Sequence, residues 1–160
     1  MSKPQGPCSK CKGTMTVKPL ETFSGEEGGV KVTIHAMPAA VCDQGHKRFV
    51  YPLFAGSLMD LTMDEDNYKF APSAVKKGLF TKHYHCPGCG QELPGAPTGK
   101  QPKEVQAQLK HADPFKLVID VPVYKCAGCG KECIKSVEEA GKLAKSATGH
   151  AYRGADIHPT

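Results

Sequence analysis

Cys86-Pro87-Gly88-Cys89-Gly90 and Cys126-Ala127-Gly128-Cys129-Gly130 are two copies of one turn motif, with thirty-six residues between the second cysteine of one copy and the first cysteine of the other. Two such pairs of thiolates, brought together from distant turns, can close a tetrahedron around Zn²⁺. The glycines allow each turn to fold back so that backbone N–H groups face the sulfur atoms. Four thiolates leave no coordination position for water, so the spacing predicts a closed, structural zinc site.

A less regular version of this pattern lies in the first half of the chain. Cys8 and Cys11 form a third Cys-x-x-Cys motif, and Cys42 follows after thirty residues. Gly45 stands where the partner of Cys42 would be, so we predict that the next residue, His46, is the fourth ligand. The two predicted sets are Cys8, Cys11, Cys42 and His46 for a first site, and Cys86, Cys89, Cys126 and Cys129 for a second site.

Other ligands remain possible at both sites. If His46 is instead exposed at the surface, water or Asp43 completes the first site, and an open zinc site can activate water for hydrolysis. The eighth cysteine, Cys133, is expected to be a partly buried residue just before a helix, although it could replace Cys129 as a ligand. A further metal site that joins His83 and His85 to Cys133 is a weaker alternative.

Disulfides, dithiol redox catalysis and iron are the alternatives to zinc for these cysteines. The N-terminal residues include no apolar stretch long enough for a secretory signal or a membrane span, so we expect a reducing cytoplasm that keeps thiols free. A redox Cys-x-x-Cys motif normally stands alone at the start of a helix, whereas three occur here on turns. A rubredoxin-like iron centre competes more closely because four thiolates suit both metals. The scarcity of aromatic residues, eleven in all, favours zinc.

The size of the chain supports a structural role for metal. Each half of the 160 residues is only about 80 residues long and has its own set of cysteines, and domains that small rarely bury enough apolar surface to be stable alone. We therefore predict a small α+β fold of two tandem zinc-ribbon-like units, each a β-hairpin with zinc knuckles followed by a helix. Residues 1–50 would form the first unit, 51–82 a helix and connecting segment, and 83–160 the second unit with a C-terminal helix.

Strands are predicted at equivalent places in the two halves. Residues 30–34 and 115–121 alternate apolar and polar side chains with the period of a half-buried strand. Pro38 and Pro122 are expected to end these strands, and a cysteine follows each proline four residues later. This shared order predicts an internal duplication.

Further elements follow from local signals. Met15 and Val17 indicate a short strand that Pro19 confines to a sheet edge, and the Gly- and Glu-rich residues 24–29 are expected to form a turn.

Three helices are predicted. Pro52 suits the start of a helix that runs to about Met63. A Ser-x-x-Glu capping box at 136–139 begins another, for which Gly149 is the expected end. Residues 102–111 indicate a shorter helix between the second pair of cysteine motifs.

The charge of the chain disfavours sequence-specific DNA binding. The formal net charge is +5, but two zinc ions on seven thiolates and one histidine lower it by three, to about +2. Of the 21 basic residues, only two are Arg, the residue whose bidentate guanidinium reads base edges. Nonspecific association with nucleic acid remains an alternative, through Lys10, Lys12, Lys76, Lys77 and Lys82.

Residues 1–50 resemble the YgiT-type zinc finger, the N-terminal metal-binding domain of MqsA-like antitoxins. The likeness lies in Cys8-Ser9-Lys10-Cys11, the alternating strand 30–34, and Pro38-Ala39-Ala40-Val41-Cys42. It implies a zinc-stabilised β-unit with a closed site, although that family normally has Cys-x-x-Cys where this chain has Gly45-His46. The antitoxins continue into a helix-turn-helix, whereas a second ribbon is expected here, so antitoxin function is not implied. The chain as a whole resembles a duplicated zinc-ribbon protein.

These observations favour a cytoplasmic, non-enzymatic zinc-binding protein that acts as an interaction or regulatory module. No catalytic residue is predicted, and the expected partner is another protein. The alternatives are the nucleic-acid-binding protein, the rubredoxin-like iron protein and a metal-dependent hydrolase that uses an open first site.

Overall fold

The computed structural model describes residues 6–78 and 83–158. Within those ranges the chain forms eleven strands and two helices, which confirms the predicted small α+β fold class. The strands are β1 (Met15–Pro19), β2 (Phe23–Glu27), β3 (Val30–His35), β4 (Pro38–Cys42), β5 (Lys47–Arg48), β6 (Val75–Lys77), β7 (His83–His85), β8 (Gly99–Ala107), β9 (Phe115–Lys125), β10 (Glu132–Cys133) and β11 (Ile157–His158). The helices are α1 (Phe54–Met63) and α2 (Val137–Gly154), and a single 3-10 turn spans Glu65–Tyr68.

The two predicted alternating strands are neighbours in one central sheet. β3 pairs antiparallel with β9, with Val32 opposite Ile119, and the sheet runs in the order β2-β3-β9-β8, with β10 also paired to β9. The alternation buries Val30, Val32 and Ile34 in β3 and Leu117, Ile119 and Val121 in β9. Both halves of the chain therefore share one hydrophobic core. The tandem duplication is not confirmed, and the unit boundaries at 50 and 82 stay predictions.

A smaller sheet carries the N-terminal cysteines. Its order is β1-β4-β5-β11, so β1 is a terminal strand and ends at Pro19, as the predicted edge position requires. β3 ends at His35 and β4 begins at Pro38, so the expectation that Pro38 ends a strand is wrong. The chain turns between the two strands at Ala36, whose φ is 55°. A separate pair, β6 and β7, forms a two-stranded ladder beside the second site.

Helix α2 packs against β2 and β3 on one side and against α1 on another. The predicted N-cap at Ser136 is confirmed, since the Ser136 Oγ accepts a hydrogen bond of 3.2 Å from the Glu139 N–H, which is one half of the predicted capping box. The predicted end at Gly149 is wrong, because the helix continues to Gly154. A methyl group built on Gly149 would lie 3.0 Å from the Met59 Cε of α1, so this glycine allows two helices to approach closely.

The helix predicted for residues 102–111 is wrong. Residues 102–107 lie in β8, which pairs residue for residue with β9 and buries Val105 and Ala107, and residues 108–111 follow it outside any strand or helix. Among the described strands β8 pairs with β9 alone, so its other edge forms no ladder. Pro102 fits in such a strand because no hydrogen-bond donor is needed along that free edge.

One further expected strand end, at Pro122, and one turn were also misplaced. Pro122 does not end its strand, because β9 runs through it to Lys125. The last residue of β9 that pairs with β3 is Asp120, so Pro122 lies where no β3 partner needs its N–H. Residues 24–27 belong to β2, and the turn that joins it to β3 contains only Gly28 and Gly29.

Helix α1 confirms the helix predicted from Pro52 to about Met63, with its first turn two residues later than expected. Neither this helix nor any other in the described residues combines the length and apolar character needed to cross a bilayer.

Candidate metal centres

The two Cys-x-x-Cys-Gly motifs of the second site fold into equivalent turns. One follows β7 and the other joins β9 to β10. The N–H of Cys86 donates to the Gln91 carbonyl at 2.8 Å, and the N–H of Cys126 donates to the Lys131 carbonyl at 2.8 Å. The Gly90 N–H closes the first turn onto the Cys86 carbonyl at 2.9 Å. Both turns therefore present their sulfur atoms in the way that a zinc knuckle requires.

The four sulfur atoms of the second site converge on one point. The Cys86 Sγ lies 3.6 Å from the Cys129 Sγ, and the Cys89 Sγ lies 3.4 Å from the Cys126 Sγ. All four sulfur atoms lie within 4.8 Å of one another. A disulfide would need an S–S distance of about 2.05 Å. All eight cysteines are free thiols, so the disulfide alternative is wrong.

Backbone N–H groups make the first cysteine of each knuckle a good thiolate. The Cys89 N–H lowers the pKa of the Cys86 thiol to about 6 against the opposing effect of burial, and the Cys129 N–H lowers the pKa of Cys126 in the same way. The pKa of the Cys89 thiol shifts in the other direction. The Gln91 N–H lowers its pKa, but the neighbouring sulfur of Cys126 and burial raise the pKa to about 11 overall. Four such crowded thiols are stabilised as thiolates by a cation between them.

Each turn of the second site also covers a glycine of the other turn. A methyl group built on Gly128 would lie 2.0 Å from the Oε1 of Gln91. One built on Gly88 would lie 3.4 Å from the Nζ of Lys131. Gln91 and Lys131 hold the same position, directly after the last glycine of each motif. The two turns therefore contact each other, and the end of the exposed Gln91 side chain fills the space beside Gly128.

The first site brings its four predicted ligands together as well. The Nδ1 of His46 lies 3.5 Å from the Cys8 Sγ and 3.4 Å from the Cys42 Sγ. The Cys11 Sγ lies 3.6 Å from the Cys42 Sγ, and all four donor atoms lie within 4.8 Å of one another. Asp43 is not part of this cluster. The ring nitrogen that faces the sulfur atoms is Nδ1, which leaves Nε2 outside the cluster.

The turn from Cys42 to His46 explains how a histidine replaces the expected cysteine. The Cys42 N–H donates to the His46 carbonyl at 3.0 Å, and the His46 N–H donates to the Cys42 Sγ at 3.3 Å. Compared with Cys-x-x-Cys, the turn from Cys42 to His46 has one more residue. His46 is therefore further along the chain, and its longer side chain reaches back to the sulfur atoms. On the opposite side, the Cys11 N–H lowers the pKa of the Cys8 thiol to about 6.

Cys133 lies beside the second site without being one of its four donors. It lies three residues before Ser136, just ahead of a helix as expected, but it is fully buried in β10 rather than partly buried. Burial, and next the charge of the adjacent Cys86, raise the pKa of its thiol to about 11. Sequence reasoning missed this contact with Cys86, which depends on the pairing of β10 with β9. Cys129 keeps its place in the cluster.

The third metal site is not formed in the described residues. The Nδ1 of His83 pairs with the Glu92 carboxylate at 2.5 Å, and the Nδ1 of His85 lies 3.1 Å from the Gly90 carbonyl. Neither imidazole joins Cys133 in a cluster.

The lysines considered for nucleic-acid binding lie on separate elements. Lys10 and Lys12 belong to the first site, Lys76 and Lys77 are exposed on β6, and Lys82 lies outside the described residues.

No protein-family profile, curated protein or solved structure matches this chain. The resemblance of residues 1–50 to the YgiT-type zinc finger therefore stays a prediction. The chemistry of the two clusters is what remains to indicate a function.

Proposed function

We propose that this chain is a non-enzymatic zinc-binding module that holds two structural zinc ions and acts by interaction or regulation in a reducing compartment, the cytoplasm. The observation that carries this proposal is the pair of four-donor clusters, each assembled from two distant turns. Cys8, Cys11, Cys42 and His46 would hold one ion, and Cys86, Cys89, Cys126 and Cys129 the other.

The spacing of the donor atoms supports zinc. Tetrahedral zinc with Zn–S bonds of about 2.3 Å separates its sulfur ligands by about 3.8 Å, and a Zn–N bond of about 2.1 Å places nitrogen about 3.6 Å from sulfur. The S–S distances of 3.4 to 3.6 Å and the S–N distances of 3.4 and 3.5 Å in the two clusters are close to these values. Thiolates also suit iron, so metal analysis has to separate the two metals.

The surroundings of the first site disfavour the hydrolase alternative. Four protein donors fill a tetrahedral shell, and a catalytic zinc keeps one position for water. The recess beside the site, lined by Cys8, Lys10 and His46 among others, has a volume of about 10 Å³. That volume is at the lower limit for a single water molecule, so no substrate fits there.

Each metal would order a lobe that has little core of its own. The buried cluster at the first site consists of Cys8, Met15, Ala40 and Cys42 alone. The cluster at the second site adds Leu93, Tyr124 and Cys133 to two of its ligands. Clusters of this size are too small to hold two turns together by apolar burial, so bound zinc would provide the missing stabilisation.

A protein partner is proposed because the basic residues are spread over several elements rather than joined in one strip. The dependence of affinity on salt concentration tests nonspecific binding to nucleic acid. If the protein binds single-stranded or duplex oligonucleotides, and its log affinity falls between 50 and 200 mM salt with a slope of about −4 or steeper against log salt, then the partner is nucleic acid rather than protein.

The metal content of the purified protein tests the proposal. We expect two zinc ions per chain by native mass spectrometry and elemental analysis, and tetrahedral protein ligation by X-ray absorption. Cys89→Ser should bind one zinc ion, because it removes a donor from the second site. Cys133→Ala is the matched control and should keep two, since this thiol is not a donor. Protein that is purified without chelator and holds no transition metal, or that holds iron after preparation in zinc- and iron-containing medium, would overturn the proposal.

A further inference from the structure

The last strand of the described chain has one side chain in the main core and one beside the first metal site: Ile157 packs in the main hydrophobic cluster, and His158 contacts Lys10 between two first-site cysteines. β11 is two residues long and pairs in parallel with β5 alone, with Ile157 opposite Lys47 and His158 opposite Arg48. The Phe49 N–H donates to the His158 carbonyl at 3.2 Å. A ladder of two residue pairs is too short to be stable unless the strand it pairs with is itself fixed.

Two segments of chain contact β11 on its two sides, and each contains ligands of the first site; these segments are called the two walls. On one side, β5 begins directly after His46. On the other side, Lys10 lies between Cys8 and Cys11, and its ammonium group donates to the Nε2 of His158 at 2.8 Å. Both walls therefore lie directly beside ligands that one ion would join, and β5 is in addition paired with β4 and followed by Phe49, which packs in the main core.

Little else joins these two segments. The ladder between β1 and β4 ends at the pair Met15 and Cys42, so the Cys8–Cys11 turn and the turn to His46 both extend beyond it. Beyond the ladder, the guanidinium of Arg48 donates to the carbonyls of Pro7 and Gly6 at 3.4 and 3.2 Å, and Arg48 is exposed in these contacts. Exposed hydrogen bonds of this kind add little stability compared with a shared metal ion.

The turn that leads into β11 favours release of the strand when the two walls separate. Asp156 has a φ of 56°, in the left-handed region that costs free energy for a residue with a side chain. Docking of the strand has to offset that cost. Helix α2 itself is held independently, because the Tyr152 hydroxyl donates to the Ala55 carbonyl at 3.1 Å and the helix packs against β2.

We propose that occupancy of the first metal site controls whether the strand Ile157–His158 is docked, so that this site is a metal-responsive switch for the C-terminal strand. The inference rests on the proposed function, since it requires the first cluster to bind zinc. With zinc bound, the strand covers β5. When zinc leaves, the two walls separate and the strand is released. Release uncovers the edge of β5 and the buried side chain of Ile157.

Hydrogen exchange of two matched variants tests the switch. Cys11→Ser removes a first-site donor and Cys89→Ser removes a second-site donor; both residues are the exposed second cysteine of their motif. In Cys11→Ser that has lost one zinc ion, exchange of the amides at 47–49 and 157–158 should rise about tenfold or more, while 115–121 stays protected. In Cys89→Ser that has lost one zinc ion, exchange at 157–158 should not change.

A chelator titration of the wild-type protein makes the same measurement without substitution. Native mass spectrometry identifies the one-zinc species, and zinc added back should restore protection at 157–158. If the first-site ion leaves and exchange at 157–158 is unchanged, or if exchange rises only when the second-site ion leaves, the switch is refuted although the zinc module stands. Wild-type protein that never binds zinc refutes both proposals.

Discussion

Gly25→Ala tests whether the N-terminal strand β2 and the C-terminal helix α2 belong to one core. Gly25 lies in the middle of β2, and a methyl group at this position would lie 2.1 Å from the Ala147 carbonyl oxygen and 2.5 Å from the Ala151 nitrogen. Both atoms belong to the backbone of α2. Non-bonded carbon and oxygen need more than about 3 Å, so the helix has to move away from the sheet by about 1 Å.

The expected cost follows from that movement. Overpacking of a core costs about 1–3 kcal/mol, and a helix backbone includes no flexible group that can turn aside, so we expect a loss of about 3 kcal/mol or more in the free energy of unfolding. Replacement of a strand glycine by alanine would otherwise stabilise the fold by about 0.5–1 kcal/mol, so propensity cannot cause the loss. With a urea m-value of about 2 kcal/mol/M, the midpoint should fall by about 1.5 M.

Gly56→Ala is the matched control. Gly56 lies in α1 with no neighbour within 4 Å of a built methyl group, so the same substitution should stabilise the protein by about 0.5–1 kcal/mol. The assay is urea denaturation of the zinc-loaded protein, followed by far-ultraviolet circular dichroism. A midpoint for Gly25→Ala within about 0.3 M of the wild type would show that β2 and α2 do not pack as described.

Two further predictions concern the second site and the core tyrosines. Gly128→Ala should change the zinc affinity of the second site by no more than about threefold in a competition assay with a chromogenic chelator, because its methyl group meets the end of the exposed Gln91 side chain, which can turn aside. A loss of about tenfold or more that the added substitution Gln91→Ala recovers would show instead that Gln91 is fixed between the two turns. Burial raises the pKa of both Tyr68 and Tyr152, and the nearby charge of Asp64 raises the pKa of Tyr68 further. Above about pH 10 the folded state therefore keeps two phenol protons that the unfolded state loses. The free energy of unfolding should then fall by about 1.4 kcal/mol per pH unit for each tyrosine as the pH rises above about 10. Tyr68→Phe should remove about half of this slope in urea midpoints measured from about pH 9 to 11. An unchanged slope would be evidence against the burial of Tyr68.

The donor sets could be predicted from sequence because a knuckle is a local structure. Two cysteines and a following glycine specify the turn without reference to the rest of the chain, and His46 could be found by counting one residue past the expected position. The strand at 30–34 was also predictable, since alternation reports which face is buried.

What the sequence did not reveal depends on contacts between distant residues. The pairing of β3 with β9 joins residues almost ninety positions apart, and alternation alone does not specify the partner strand. Residues 102–107 form a strand because β9 offers them a complete ladder, whatever their local preference. Gly149 lies inside α2, where the helix approaches Met59 of α1, and no local signal records this contact.

The shared core changes what the metal ions have to do. Zinc fingers that fold only with metal gain about 10–16 kcal/mol from binding, and the expectation of two undersized units would require such a contribution in each half. In the structure, however, the central sheet buries residues of both halves by itself, and each cluster begins where a ladder ends: Cys42 is the last residue of β4, and Cys126 follows β9 directly. Strand ends are the parts of a fold that open most easily. Zinc at these places would therefore order the ends of strands rather than create the core. For that reason loss of one ion can release a local segment such as β11 and leave the central sheet intact.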